Sequence, residues 1–291
     1  MTLNEAPKTL LAVLAHPDDE SFGMGGTLAL YASRGVQVHL ICATRGEAGS
    51  VDEDCLNGFD SIAARRESEL RCAAGILGLS GVYFLGYRDS GMPGSADNQH
   101  PQALINAPRQ EVAEKIAHYI RLLKPQVVLT FDPIGGYKHP DHIAIHQATV
   151  EAFHLAGEQS WQDELPPFQP QRLYFHLIPK GFLRMAVFLM RLVGRDPRRF
   201  GRNEDIDLLA LVEEGDFPTH AVINYRQVYD LKDAASRCHE SQLGGAALGN
   251  PLLRQINRLL SSRDHFMRAI PAPKNGLVEG DLFAGLADPP E

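Results

Sequence analysis

Short apolar runs alternate with segments of helical spacing through the first half of the chain, and that alternation predicts an α/β fold with helices on both faces of a sheet. Two observations narrow it. The runs at residues 10–14 (LLAVL) and 127–131 (VVLTF) are continuously apolar, as buried strands are. Each is followed by a polar cluster and then by a helix-like pattern, the order expected at the strand ends of an open parallel sheet. The predicted architecture is a Rossmann-like three-layer fold with a mainly parallel sheet and a C-terminal accessory region.

The elements follow in order. Residues 9–15 form a short apolar run that stops at His16-Pro17, a buried strand. Residues 21–33 have helical spacing, and Gly35 ends them. A second strand is expected at 36–43. Residues 61–79 read as a helix with one charged face, followed by a short strand at 81–85. A helix at 110–123 ends at Lys124-Pro125, since the residue before a proline is pushed out of the helical region. Residues 126–131 form another strand and 141–156 another helix. The Pro- and Gln-rich stretch 161–170 reads as a loop, 172–178 as a strand that extends the sheet, and 231–238 as a helix. The tail from Pro271 reads as irregular.

At 291 residues the chain has room for one large α/β domain over residues 1–291, with an insertion or accessory element at about 160–230. Hydrophobic content of 44% and charged content of 22% are those of an ordinary globular protein. A net charge of −8 gives no electrostatic case for nucleic-acid binding. The four cysteines show neither zinc-knuckle spacing nor a dense disulfide framework; Cys42 and Cys72 read as buried thiols, and a reducing cytoplasm follows. No signal-peptide layout opens the chain. Residues 181–194 (GFLRMAVFLMRLVG) are too few to span a bilayer, which takes about 20 apolar residues, so no transmembrane segment is expected. Their context is basic: residues 180–202 carry seven Lys and Arg against Asp196 alone. This reads as an amphipathic helix packed on the domain with its arginine heads in water. A lid, an oligomer contact or a membrane-surface helix is the sharper reading. Nothing in the sequence excludes a homo-oligomer.

The chemistry lies in two clusters, AHPDDE at residues 15–20 and HPDH at 139–142. Imidazole nitrogen and carboxylate oxygen are divalent-metal ligands, and two His with one Asp leave a coordination position for water. His16 and Asp19 share a spacing that lets both side chains point one way, and His139 and His142 repeat it. One histidine of the second pair completes a three-ligand site and frees the other for catalysis. Asp18 is a candidate base for the metal-bound water. Taken singly, each cluster could be a polar helix start, with Asp as cap and Pro in the first turn; two HPD tripeptides, each after a strand, weaken that reading. The stretch Gly23-Met24-Gly25-Gly26 imitates a dinucleotide fingerprint, but Leu28 stands where the third glycine belongs. Those glycines read as permitting close packing. A nucleotide-binding oxidoreductase or a non-catalytic binding module is thereby the weaker alternative.

Together, AHPDDE, Thr44-Arg45-Gly46-Glu47, Arg66 with Glu69-Leu70, the stretch YRDSGM at 87–92, HPDH and the late His239-x-Ser241-Gln242 resemble the LmbE/PIG-L family of zinc-dependent deacetylases. The matches cover roughly residues 8–155 and 232–245. The resemblance implies a metal held by His16, Asp19 and His142, with Asp18 as general base. It implies that His139 stabilises the oxyanion and that Asp141 orients His139 and raises its pKa. It places Glu47, Arg66 and Asp89 in substrate binding. The implied reaction is metal-dependent removal of an N-acetyl group from a small amino-sugar (N-acetylglucosaminyl) substrate; an amidase cleaving a glucosaminyl thiol conjugate is the alternative with the same site. Zn2+ suits a reaction without redox, although two His and one carboxylate also describe a site for Fe2+ or another divalent metal.

Overall fold

Seven strands line up in the order β3-β2-β1-β4-β5-β7-β6 in a computed structural model that describes residues 7–201, 204–214, 216–243, 258, 262–273 and 276–286. They are β1 (Thr9–Leu14), β2 (Gln37–Cys42), β3 (Gly81–Phe84), β4 (Val127–Phe131), β5 (Arg172–Leu177), β6 (Ala221–Asn224) and β7 (Arg263–Ile270). The first five run parallel; β7 is antiparallel to both β5 and β6. Every residue of β1 and β4 is buried, as their continuous apolar runs require.

The helices are α1 (Asp19–Phe22), α2 (Gly25–Ser33), α3 (Ile62–Leu77), α4 (Arg109–Leu123), the kinked turn α5 (Gly135–Lys138), α6 (Pro140–Leu155), α7 (Lys180–Leu192), α8 (Leu208–Glu213), α9 (Tyr229–Cys238) and α10 (Glu240–Leu243). Helices α2, α3 and α9 pack together on one face of the sheet, and α4 packs on α6 on the other. This is the three-layer α/β arrangement expected from the alternating pattern. Local signals set the boundaries. The Ser61 side chain accepts from Ala64 N and caps α3, and Gly78 closes that helix in the left-handed region at φ 75°. His139 caps α6, with Pro140 in its first turn.

The expected helix over 21–33 is broken at Gly23-Met24 into α1 and α2. The break lets α1 stay beside the end of β1 while α2 packs away from it. A Cβ on Gly26 would stand 2.1 Å from the Tyr225 ring, so the glycine is required by close packing, and the ring fills the ground a pyrophosphate would need.

The region beyond residue 160 re-enters the sheet through β5, β6 and β7, with α7 and α8 between β5 and β6. A small separate cluster joins Leu183 and Val187 of α7 to Leu208 and Leu211 of α8.

The reading of Cys72 as a buried thiol is corrected. Cys72 lies on the exposed side of α3 and is bonded to Cys238 at the end of α9. Cys42 is a buried free thiol, as expected of a small apolar side chain inside a strand.

Order reverses between β1 and β4: β2 and β3 lie on one side of that pair, β5 on the other. The chain leaves the carboxyl ends of these two adjacent strands in opposite directions and opens a crevice there.

Candidate metal and catalytic site

Both histidine clusters fall at this crevice. His16 follows the end of β1 and His142 lies in the first turn of α6, after β4. His16 Nδ1 is 3.3 Å from His142 Nε2 and 3.5 Å from Asp19 Oδ2, and His142 Nε2 is 3.3 Å from Asp19 Oδ1. Atoms bound to one ion at about 2.0–2.1 Å in tetrahedral geometry are about 3.3–3.4 Å apart. The two imidazole nitrogens therefore have the spacing that a single small divalent ion imposes, and Asp19 turns one carboxylate oxygen to each of them.

The remaining ring nitrogens strengthen this grouping. His16 Nε2 lies 3.1 Å from Asp141 Oδ2, and His142 Nδ1 lies 3.2 Å from the Gly135 carbonyl oxygen. A ligating imidazole characteristically donates its other N–H to a carboxylate or a backbone carbonyl, which fixes its tautomer. The His142 ring also stacks on Phe131, 3.8 Å between centroids. Two other buried groupings could gather around an ion, His16–His139–His142 and His16–Asp89–Asp141. The second would use His16 Nε2, the nitrogen turned to Asp141. The first would draw on His139, whose Nδ1 already accepts from Asp141 N at 3.2 Å. The grouping with Asp19 leaves both ring nitrogens of His16 and both of His142 with a partner.

Charge points the same way. Asp18, Asp19, Asp89 and Asp141 converge here, and Arg66 is the guanidinium that faces them. Burial alone would raise Asp19, but the imidazoles of His142 and His16 hold it well below the usual carboxylate range. Asp89 is likewise held low against its burial by His16 and by the Gly91 N–H. With Asp19 and Asp89 held ionised, the crevice attracts a cation.

Asp141 departs from expectation. Its carboxylate does not orient His139: it accepts from Ser90 N at 2.9 Å and from the Ser90 hydroxyl, and it faces His16. Only its backbone N–H meets His139. Nor is His139 raised; burial, with His16 and His142 beside it, pushes it down to about 2. A neutral His139 with Nδ1 accepting carries its proton on Nε2.

Asp18 is held in an unusual backbone state, φ 125°, ψ −27°. Such a conformation costs on the order of 1–3 kcal/mol in a non-glycine residue and persists only where its surroundings over-determine it. They do so here. The Asp18 N–H donates to Glu20 Oε2 at 3.0 Å, and its carbonyl accepts from Phe22 N at 2.8 Å. Its carboxylate meets Arg66 Nη2 at 3.0 Å. Burial pushes the Asp18 carboxyl up to about 6, with Arg66 opposing and Asp19 adding to the rise.

Arg66, expected at the substrate, is buried and committed inward. Besides Asp18 it donates to Pro17 O at 2.7 Å and to Gly46 O at 3.0 Å. A Cβ on Gly46, at φ 70°, would stand 2.1 Å from Arg66 Nη1, so the glycine in TRGE makes room for the guanidinium. Glu47 accepts from Asp89 N at 3.1 Å and steadies that loop. Asp89 Oδ1 accepts from Gly91 N at 2.8 Å and lies 3.4 Å from His16 Nε2, while Oδ2 is 4.0 Å from Arg66.

Glu20, Ser90 and His239 sit inside the motifs without a role that the sequence assigns them. The signal for Glu20 was its place in AHPDDE. Its Oε1 lies 2.7 Å from His239 Nε2 with both side chains fully buried. Ser241, two residues on, donates from N and Oγ to Glu69 of α3.

Residues 11–153 match the family described as PIG-L: GlcNAc-PI de-N-acetylase. Over 303 aligned residues the chain is 34% identical to a 1D-myo-inositol 2-acetamido-2-deoxy-alpha-D-glucopyranoside deacetylase of Catenulispora acidiphila, covering 96% of this chain and 98% of that one. Among solved structures it resembles the N,N'-diacetylchitobiose deacetylase of Pyrococcus horikoshii, with a TM-score of 0.60 at 22% identity over 90% of this chain and 83% of that one. It also resembles the 4-carboxy-2-hydroxymuconate hydratase GalB of Pseudomonas putida KT2440, with a TM-score of 0.59 at 19% identity over 92% and 98% of the two chains. The last two likenesses are of fold, and a hydratase among them shows that the fold alone does not set the reaction.

Proposed function

The chain belongs to the PIG-L, or GlcNAc-PI de-N-acetylase, family, and from that premise we propose that it is a metal-dependent hydrolase removing the N-acetyl group from an N-acetylglucosaminyl substrate. The products are acetate and a free amine. The observation that carries the reading is the convergence of His16, Asp19 and His142 at ion-binding spacing, with Asp18 and His139 beside them.

His16 Nδ1, Asp19 and His142 Nε2 are the ligands we assign, and zinc fits their nitrogen and oxygen donors. When bound, such an ion supplies a Lewis acid that acidifies water and polarises an amide carbonyl. Asp18 is the general base: it accepts a proton from the attacking water and later returns it to the departing amine. Arg66 holds the Asp18 carboxylate in place and favours its ionised form. His139, neutral with its proton on Nε2, donates to the acetamide oxygen as negative charge builds there. Asp141 fixes the tautomer of His16 rather than that of His139. For the sugar, Asp89 is the better candidate than Arg66, because its Oδ2 keeps acceptor capacity at the crevice. Glu47 acts on substrate through Asp89. By analogy with the named substrate of the Catenulispora relative, we take inositol as the group joined to the sugar.

Among the described residues no helix is long and apolar enough to cross a membrane. A small amino-sugar derivative needs none, and the reaction suits an aqueous compartment.

The test is free-amine release from N-acetylglucosaminyl inositol by protein stripped of metal and then reloaded. The expected result is hydrolysis that returns with Zn2+ and is absent with Asp18→Ala. Amine release that does not depend on metal, or that survives Asp18→Ala at full rate, overturns the reading.

A further inference from the structure

Helix α7 presents three stripes to three surroundings. Leu183, Val187 and Met190 pack inward against Leu208, Leu211, Ile178 and Tyr137. Phe182, Met185, Leu189 and Leu192 follow helical spacing on a second stripe, with Phe188 beside them. These five are between 50% and 71% exposed. Lys180, Arg184 and Arg191 form a third stripe, and Arg195 and Arg198 follow it in the next turn. Among the described residues no carboxylate pairs with Arg184, Arg191 or Arg195. The sequence-based reading of a helix packed on the domain thus covers one stripe of α7 and leaves a second apolar stripe in water.

Isolated exposed apolar side chains are ordinary, but a contiguous row of large ones marks an interaction surface. The charge around this row selects its occupant. Residues 180–202 carry seven basic side chains against one acid, in a chain whose net charge is −8. Lys180, Arg184 and Arg191 run along one edge of the apolar stripe, while Arg199 beyond the helix is paired with Glu204. An apolar row edged by Lys and Arg matches the boundary of an anionic lipid leaflet, with acyl chains below and phosphates at the level of the guanidinium groups. The 13 residues of α7 are too short to cross a bilayer, and the inward stripe is already used by the protein, so the helix can only lie in the plane of the surface.

We propose that α7 docks the protein peripherally on the surface of an anionic phospholipid bilayer through Phe182, Met185, Phe188, Leu189 and Leu192, with Arg184 and Arg191 on lipid phosphates. The inward side of α7 rests on Tyr137, whose ring centroid is 5.0 Å from that of His142 and 5.9 Å from that of His139. Docking therefore sets the catalytic crevice close to the lipid surface.

The experiment is co-sedimentation of the full chain with vesicles of phosphatidylcholine alone, or with one-third phosphatidylglycerol added. The protein is expected to sediment with the anionic vesicles, to stay in solution with the neutral ones, and to be released by high salt. Arg184→Glu with Arg191→Glu should lower the bound fraction about tenfold or more. Phe182→Ser with Phe188→Ser and Leu192→Ser should do the same. All five positions face solvent, so the melting temperature should hold; if a combined variant fails to fold, Arg191→Glu alone serves. Equal binding to neutral and anionic vesicles, wild-type binding by the folded variants, or a vesicle-indifferent dimer dissolved by the serine substitutions would each overturn the proposal.

Discussion

His239 Nε2 lies 2.7 Å from Glu20 Oε1, two fully buried side chains that 219 residues of sequence separate. Glu20 in turn accepts the N–H of Asp18 at 3.0 Å, so the end of α9 reaches the backbone of the catalytic base through one carboxylate. Asp18 needs that support because its φ of 125° is unfavourable. His239→Ala should lower kcat by about 10- to 100-fold, the usual effect of removing a partner behind a reacting group, while bound metal stays constant. Glu20→Gln should act similarly. His239→Gln, which keeps a donor near Glu20, should recover part of the loss. Unchanged kcat in His239→Ala would show that Asp18 holds its conformation without α9.

The ligand set has its own signature in metal analysis. His16→Ala, Asp19→Ala and His142→Ala should each lose most bound metal. Asp141→Asn should keep it but bind it roughly 10–100-fold more weakly, since the His16 N–H loses a charged acceptor. His139→Ala should retain metal and lose rate. Metal lost in His139→Ala and kept in Asp19→Ala would move the ion to the His16–His139–His142 grouping.

What the sequence made legible, and what it did not, divides on physical lines. The strands β1 and β4 and both histidine clusters are local: each is a contiguous run whose composition carries its meaning. Strand β7 was hidden because Asp264 occupies one of its buried positions, where it accepts from Thr27 N and Oγ1, so the apolar alternation is broken by a charge. Strand β6 has only four residues. The partners of Arg66 and Asp141 are not legible in the sequence for another reason. Both lie in family motifs, yet which atom each side chain meets depends on the crossing of α3, α6 and the loop after β3. The Cys72–Cys238 pair is likewise a tertiary fact, with nothing in the spacing of four cysteines to announce it.

That disulfide makes a prediction about stability and surroundings. It joins α3, which carries Arg66, to the end of α9, next to His239, across a separation of 166 residues. Closing so long a loop typically stabilises by about 2–4 kcal/mol. Reduction, or Cys72→Ser, should lower the melting temperature by several degrees and lower kcat as the hold on His239 slackens. A bond of this kind persists where reductants are weak, against the reducing cytoplasm inferred from sequence. Alkylation of intact cells before lysis reads the state directly. Full labelling of Cys72 and Cys238 in cells, with unchanged stability on reduction, would remove the disulfide from the account.

Arg66 and Asp18 decide between two views of the site. Asp18 must be ionised to accept a proton, so kcat/KM is full above its pKa and falls as pH drops through it. Burial places that carboxyl at about 6, and a divalent cation beside it can only favour the ionised form, so the acid limb should lie at or below pH ~6. Arg66→Ala removes a cation 3.0 Å away; the limb should move to higher pH, and Arg66→Lys should return part of the shift. Because the loss falls on the base, it should be equal for an N-acetylglucosaminide and for a small acetamide without hydroxyls. Asp89→Ala should instead penalise the glucosaminide more, by roughly 1.5–3 kcal/mol, the worth of a hydrogen bond to a charged group. A limb that stays put in Arg66→Ala, with loss confined to the glucosaminide, would return Arg66 to the sugar.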